Sequence, residues 1–325
     1  MTTRIGINGF GRIGRTFLRA ALKNNADVEV VAVNDLANST TLGTLLEWDS
    51  LAGHLEGVAI EPDALAVAGH RIAVLGERDP AAIRWGDLGV DVVIESTGRF
   101  TDRASASAHL RGGAKKVIIS APAKGDVPTF VLGVNDDTLD PSADDVFSNG
   151  SCTTNSLAPL AAVLHERFGI ESGLMTTVHA YTSDQRLHDA PHSDLRRARA
   201  AAVSTIPASS GAAAAIGKVL PELEGRLTGA ALRVPVPVGS ITDLTVLPER
   251  PADVATVNTA FREASQSPRL QHYLQYSEAP LVSADIVGNP YSTIFDAPLT
   301  MAVGRQVKVH GWYDNEWGFS NRLVE

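Results

Sequence analysis

The chain has 325 residues, 44% hydrophobic and 20% charged, a globular composition with room for two domains of about 150 residues each. Its net charge of −9 argues against a nucleic-acid partner, whose phosphates are held by many lysines and arginines, and no run reaches the ~18 apolar residues of a membrane span. A single cysteine permits no intrachain disulfide, and residues 1–9 lack the charged-then-apolar layout of a secretion signal, so a cytoplasmic location is expected.

From residue 3 to 148, short β-branched runs alternate with amphipathic stretches, which predicts a mostly parallel sheet with crossover helices. Strands are expected at 4–8, 28–34, 91–96, 116–120 and 129–134. Helices are expected over 12–23, where Ile13, Phe17, Leu18, Ala21 and Leu22 make one apolar face, over 39–48, and over 102–110, ended by Gly112-Gly113. The first strand runs into Gly9-Phe10-Gly11-Arg12-Ile13-Gly14. Placed between a strand and a helix, this G-x-G-x-x-G gives a tight turn, a close backbone approach to a pyrophosphate, and helix packing on the strand. Asp35, 21 residues past Gly14, is where a carboxylate would bond the adenosine ribose, and its charge would repel the 2′-phosphate of NADP. NAD is therefore the expected cofactor.

Cys152, in Ser148-Asn149-Gly150-Ser151-Cys152-Thr153-Thr154-Asn155, stands at the entrance to a helix expected over 153–168. A helix N-terminus favours a thiolate, so an ionised, nucleophilic sulfur is expected, and the hydroxyl and amide neighbours speak against the alternative of a small packing residue. His179, 27 residues on, closes the apolar run 174–178 and could serve as a proton acceptor for that thiol. Beyond the helix, strands are expected at 173–180, 231–247, 281–287, 293–296 and 302–313, with an antiparallel look, and a helix at 253–264. The domain boundary is placed near Gly150. The irregular stretch 179–207 is long enough to be functional or interfacial, and its Arg196, Arg197 and Arg199 suit solvated surface, an anion site or a subunit contact.

The segments Ile7-Asn8-Gly9-Phe10-Gly11-Arg12-Ile13-Gly14-Arg15, Ser151-Cys152-Thr153-Thr154-Asn155, the His179 strand and Trp312-Tyr313-Asp314-Asn315-Glu316 are similar to those of phosphorylating glyceraldehyde-3-phosphate dehydrogenase, which the chain resembles from residue 2 to its end. The resemblance implies an α/β chain: a Rossmann-type doubly wound parallel sheet binding NAD over 1–150, and an α+β catalytic domain with a mostly antiparallel sheet over 151–325. It implies that Cys152 attacks the aldehyde of glyceraldehyde 3-phosphate, that His179 is the base, and that inorganic phosphate cleaves the resulting thioester to 1,3-bisphosphoglycerate. By the same resemblance Thr182, Asp184 and Arg233 match the substrate-phosphate site, and Ser151, Thr153, Arg197, Ser210 and Gly211 surround the attacking phosphate. Asn315 matches the asparagine that holds the nicotinamide carboxamide. Arg12, Ile13, Asp35, Arg78, Thr97 and Ser120 match the remaining cofactor contacts beside Gly9, Gly11 and Gly14. Leu36 and Pro191 are as in NAD-specific members, while Ala190 stands where leucine is usual. No metal is implied, and a homotetramer with 179–207 at subunit contacts is.

Several positions depart from the family pattern. Gly150 replaces alanine, Ser156 a second cysteine, Ala214 a lysine and Phe319 a tyrosine, and Val236-Pro237-Val238-Gly239-Ser240 varies a segment near Arg233. Drift among paralogues accounts for these; a variant isozyme tolerant of a cysteine-directed inhibitor is the sharper reading. The last residues, Asn321-Arg322-Leu323-Val324-Glu325, fall where members continue through a helix, so a truncated C-terminal helix is expected. The rival readings are erythrose-4-phosphate dehydrogenase, which hydrolyses its thioester, an aspartate-semialdehyde enzyme, against which Cys-Thr-Thr-Asn speaks, and a nucleotide-binding redox sensor reporting oxidation at Cys152.

Overall fold

Thr3–Asn8 (β1) and Val28–Asn34 (β2) pair in parallel on either side of the helix Arg12–Lys23 (α1) in the computed structural model, which describes residues 2–325. Of the expected apolar face of α1, Phe17, Leu18 and Ala21 are buried and Ile13 and Leu22 partly so, and from Gly14 to Ala21 the helix is buried all round. Ser39–Glu47 (α2) follows, then a hairpin of Ala59–Glu61 (β3), Ala64–Val67 (β4) and His70–Leu75 (β5). Val92–Glu95 (β6), the short helices Arg103–Ala106 (α3) and Ala108–Arg111 (α4), Lys116–Ile119 (β7) and Val146–Ser148 (β8) complete the sheet. Its order is β8-β7-β6-β1-β2-β5-β4-β3. The pairs from β8 to β5 are parallel and the last two antiparallel, so the strand order reverses beside β1, the doubly wound arrangement that was expected.

The second unit begins with Cys152–Phe168 (α5), whose Leu157, Leu160, Val163 and Leu164 are all buried. Its other elements are Ser172–Ala180 (β9), Ile206–Ser209 (β10), Ala212–Val219 (α6), Leu227–Val234 (β11), Ser240–Leu247 (β12), Val254–Ala264 (α7), Leu274–Ser277 (β13), Thr293–Asp296 (β14), Met301–Val303 (β15) and Gln306–Tyr313 (β16). They form one mixed sheet, β10-β11-β9-β12-β16-β14-β13, with β15 on β16. The pairs β9–β11 and β13–β14 are parallel and the rest antiparallel. Residues of α5, α6 and α7 pack with the inward side chains of this sheet in one apolar cluster. Asp253 caps α7 in a reciprocal capping box with Thr256. A last helix, Trp317–Val324 (α8), ends the chain.

By its internal contacts one unit comprises residues 2–129, 139–150 and 320–325, and the other 130–138 and 151–319. Among the described residues no helix is long and apolar enough to cross a membrane.

Five expectations need correction, the first being the single strand expected over 302–313, which is a hairpin of β15 and β16 turning at Gly304 and Arg305. Residues 129–134 are not a strand: Thr129 makes one isolated bridge to Ser148, and Val131 N–H turns instead to Asn135 Oδ1 at 2.8 Å. The run 281–287 is a 3₁₀ turn over Ser283–Ile286, with Asp285 accepting from Val282 N at 2.8 Å. The single strand expected over 231–247 is two, broken where Pro235 and Pro237 remove ladder donors. The helix expected over 102–110 is two short helices meeting at Ser107.

Candidate active site

In the nucleotide-binding unit, α1 starts at Gly11 with no side chain capping it, unlike α2, α5 and α7, which Asn38, Ser151 and Asp253 cap. Gly9 has a φ of +94°, and a Cβ there would sit 2.8 Å from Ser96 C and Thr97 N; a Cβ on Gly14 would strike Gly9 O. A Cβ on Gly11 would meet nothing within 4 Å. A turn closed on two sides and open on the third, at an uncapped helix N-terminus, is the cradle a dinucleotide diphosphate requires, so these residues fit NAD. Asp35 Oδ2 accepts Phe10 N–H at 2.9 Å and Oδ1 accepts Ala37 N–H at 3.2 Å, which holds the carboxylate beside that turn. Ser120 N–H and Oγ both donate to Glu95 O, Arg78 is exposed after β5, and Ile13 is partly exposed in the first turn of α1. Arg12 is paired with Asp49 at 2.5 Å, a partner the sequence did not announce.

Beneath this turn lies a buried polar network that sequence reasoning also missed. Glu95 Oε2 is 2.9 Å from His109 Nε2, and both side chains are fully buried. Trp85 Nε1–H donates to His109 Nδ1 at 3.0 Å, so the Nε2 proton faces the carboxylate. Asn8 Nδ2 donates to Glu95 Oε2 at 2.6 Å, and Thr97 N–H and Oγ1 donate to Oε1 at 2.8 and 2.5 Å. A glutamate ending the apolar run 92–95 was the available signal.

In the other unit, Ser151 caps α5 by accepting Thr154 N–H, which places Cys152 in its first turn. Cys152 Sγ lies 3.4 Å from His179 Nε2, at the end of β9. His179 Nδ1 is 2.7 Å from Ala180 O, which can only accept. Nδ1 therefore carries the proton, leaving Nε2 as the acceptor that faces the thiol. Arg233 Nη1 stands 3.0 Å from Nδ1, with Ala180 O at 3.2 Å and Thr182 Oγ1 at 3.0 Å as acceptors for its own two protons. Burial, then the guanidinium charge, lowers the His179 pKa from 6.5 to about 4, so the imidazole is neutral at physiological pH.

The expected ionised sulfur is corrected here. Cys152 is only partly exposed, and burial pushes its thiol above its ordinary value; the Arg233 charge and hydrogen bonding at Thr153 pull the other way without prevailing. The pair rests as thiol and neutral imidazole. Tyr313, whose hydroxyl bonds Thr153 Oγ1 at 2.9 Å and Thr177 Oγ1 at 2.8 Å, is pushed by burial well above its ordinary value and stays a neutral phenol.

From Arg233 a chain of polar groups leads to the second arginine. Thr182 Oγ1 accepts a hydrogen bond from Arg233 Nη1 and donates to Asp184 Oδ1, while Asp184 Oδ2 pairs with Arg197 at 2.5 Å. Burial pushes the Asp184 carboxyl up, but the Thr182 hydroxyl and the charges of Arg233 and Arg197 outweigh it and hold the group below its ordinary value. Arg233 Nε is buried with no hydrogen-bond partner among the described residues, a donor that suits an anion. Ser210 accepts Ala212 N–H at 3.3 Å beside Gly211, which precedes α6; no hydrogen bond ties either to Cys152 or His179. Of the departures, Gly150 has a φ of +69°, a conformation that favours glycine, and Ser156 Oγ bonds Thr242 Oγ1 and Thr293 Oγ1 at 3.0 and 3.2 Å.

Comparison with known proteins adds a family to this geometry. The model for "Glyceraldehyde 3-phosphate dehydrogenase, NAD binding domain" matches residues 3–103, and that for "Glyceraldehyde 3-phosphate dehydrogenase, C-terminal domain" matches residues 151–315. Glyceraldehyde-3-phosphate dehydrogenase 1 of Streptomyces avermitilis is 60% identical over 326 residues, covering 100% of this chain and 97% of that protein. Glyceraldehyde-3-phosphate dehydrogenase 2 of Streptomyces arenae is also 60% identical with the same coverage, and the Mycobacterium bovis glyceraldehyde-3-phosphate dehydrogenase is 58% identical over 332 residues, again covering 100% and 97%. With two domain models in sequence and relatives alike from end to end, the chain belongs to the glyceraldehyde-3-phosphate dehydrogenase family.

Proposed function

We propose that the chain catalyses the NAD-dependent oxidative phosphorylation of D-glyceraldehyde 3-phosphate to 1,3-bisphosphoglycerate, with residues 1–150 binding NAD and 151–325 carrying the chemistry. The observation that carries this reading is the Cys152 Sγ to His179 Nε2 contact of 3.4 Å, with Arg233 on the far nitrogen of the same ring.

The neutral thiol gives its proton to His179 Nε2 as sulfur adds to the aldehyde carbon, and the imidazolium returns it to the new oxyanion, leaving a hemithioacetal. Bound NAD supplies the acceptor for the hydride that this carbon gives up. His179 removes the hydroxyl proton in that step, which leaves a thioester on Cys152. Inorganic phosphate, held by Ser151, Thr153, Arg197, Ser210 and Gly211, attacks the thioester carbon, and the departing sulfur recovers its proton from His179. Thr182, Asp184 and Arg233 hold the substrate's own phosphate, and the unpartnered Arg233 Nε supports that role. An anion there offsets the guanidinium charge that weakens His179 as a base, so the base strengthens when substrate is present. Gly9, Gly11, Arg12, Ile13, Gly14, Asp35, Arg78, Thr97 and Ser120 bind the dinucleotide, and Asn315 holds the nicotinamide carboxamide.

The single cysteine agrees with a cytoplasmic enzyme. Leu187, Leu195 and Val203, 73%, 81% and 78% exposed in the 179–207 stretch, support its burial between subunits of a homotetramer. The departures near the thiol, Gly150 and Ser156 among them, are the basis of a narrower reading, an isozyme tolerant of a cysteine-directed electrophile. An inactivation rate equal to that of an ordinary family member removes that reading.

Purified protein should reduce NAD with glyceraldehyde 3-phosphate only when phosphate or arsenate is supplied. Turnover that needs neither overturns the phosphorylating assignment and favours the hydrolytic, erythrose-4-phosphate type.

A further inference from the structure

Ser240, the first residue of β12, is wholly buried, and its hydroxyl lies 3.0 Å from Ala180 N and 3.1 Å from Asn315 Oδ1. A backbone N–H can only donate, so Oγ accepts from Ala180, and its own proton is left for Asn315 Oδ1. Gly239 N–H, 3.2 Å from the same Oδ1, is a second obligate donor. Flipping the amide would set its NH₂ against that N–H, so the oxygen is fixed toward Gly239 and Ser240. Asn315 itself is only 4% exposed, and among the described residues no protein acceptor meets its Nδ2. The amide is thus held with its donor end presented and its acceptor end locked. Ala180 contributes once more, because its carbonyl accepts the hydrogen bond from His179 Nδ1–H.

We infer that Ser240 is a positioning residue for the nicotinamide: its hydroxyl selects the amide orientation of Asn315 and ties that side chain to the end of the strand bearing the base. Ser240 reaches the cofactor only through Asn315, and the inference rests on the Asn315 role proposed above. The ligand it sharpens is the carboxamide end of the dinucleotide and not the adenosine end. Without the hydroxyl, Oδ1 keeps one of two donors, and Ala180 N–H loses its acceptor.

Binding of NAD and of ADP-ribose, which lacks the nicotinamide, is measured by calorimetry on the full chain, for the unmodified protein and for Ser240→Ala, Asn315→Ala and the double variant. The NAD to ADP-ribose affinity ratio should fall roughly five- to tenfold in Ser240→Ala, the worth of one hydrogen bond to a bound group, with ADP-ribose binding retained. The double variant should then be no worse than Asn315→Ala alone. Equal weakening of both ligands marks a merely structural residue and overturns the inference. A ratio lost in Asn315→Ala but kept in Ser240→Ala overturns the inference and spares the Asn315 reading. A ratio unchanged in Asn315→Ala sinks both. Each ratio is read on folded, ligand-competent protein, so partial loss of folding in one variant does not obscure it.

Discussion

Replacing Arg233 with glutamine should raise the pKa of His179. In the structure Arg233 Nη1 sits 3.0 Å from the imidazole Nδ1, and His179 is held at about 4 by burial first and by this charge second. Two unit charges ~4 Å apart interact by about 4 kcal/mol at an effective dielectric constant of about 20. Arg233 is only partly buried, so water screens some of that. With about 1.4 kcal/mol per pH unit, the variant should titrate about one to two units higher, still short of the ordinary 6.5 because burial remains. The assay is an NMR titration of protein labelled with ¹⁵N-histidine, the His179 signals being assigned by their loss in His179→Asn. A parallel titration in phosphate should raise the same pKa in the unmodified protein and raise it less in Arg233→Gln, where only the site beside Ser151 and Thr153 remains. If Arg233→Gln shifts His179 by less than about 0.3 unit, the charge coupling derived from this geometry is wrong and burial alone sets the value.

Acid stability should follow from the same histidine. Its folded pKa lies below the unfolded value of 6.5, so the unfolded chain takes up the proton first, and stability present above pH 6.5 is lost as pH falls toward 4, by at most about 3 kcal/mol. His179→Asn should flatten that slope in urea titrations at pH 7 and pH 5, and an identical slope would place the acid sensitivity elsewhere. Gly11→Val should leave the melting temperature within about 2 °C, because its Cβ meets no protein atom, yet weaken NAD at least about tenfold by occupying the diphosphate's space; unchanged NAD affinity would count against the cradle. His109→Ala leaves the buried Glu95 carboxylate without its ring partner and should destabilise the nucleotide-binding unit by about 3 kcal/mol or more in calorimetry. A loss under about 1 kcal/mol would mean that Asn8 and Thr97 suffice to hold the charge.

Much of this was legible in the sequence, for identifiable reasons. β2, α1 and β14 have the bounds their patterns predicted, since each is a compact run bounded by turn residues, periodic in α1 and with an unbroken apolar centre in the two strands. The β3 to β5 hairpin was not seen: Ala59, Ala64 and Ala66 carry little β preference. The 281–287 run looked like a strand because Leu281, Val282, Ile286 and Val287 are β formers, but Asp285 captures Val282 N–H before a ladder can. Cys152 and His179 were found from motif and placement, and the structure brings them together. The state of the sulfur was not readable, because helix position is local while the burial that raises the thiol is a property of the folded unit. Ser240 and Asp49 escaped for a related reason: each acts through a partner far away in sequence, and neither residue type is unusual by itself.

The Glu95 carboxylate has one oxygen committed to the imidazole and to Asn8, and the other to the backbone and hydroxyl of Thr97. The rotamers that floor the nucleotide turn are therefore frozen when the chain folds. Immobilising a rotamer-rich side chain during association typically costs about 0.5–1.5 kcal/mol, and little of that remains to be met here when the dinucleotide arrives. Affinity at this end of the molecule is a matter of preorganisation, set by the solidity of the core under the turn as much as by the groups that touch the ligand.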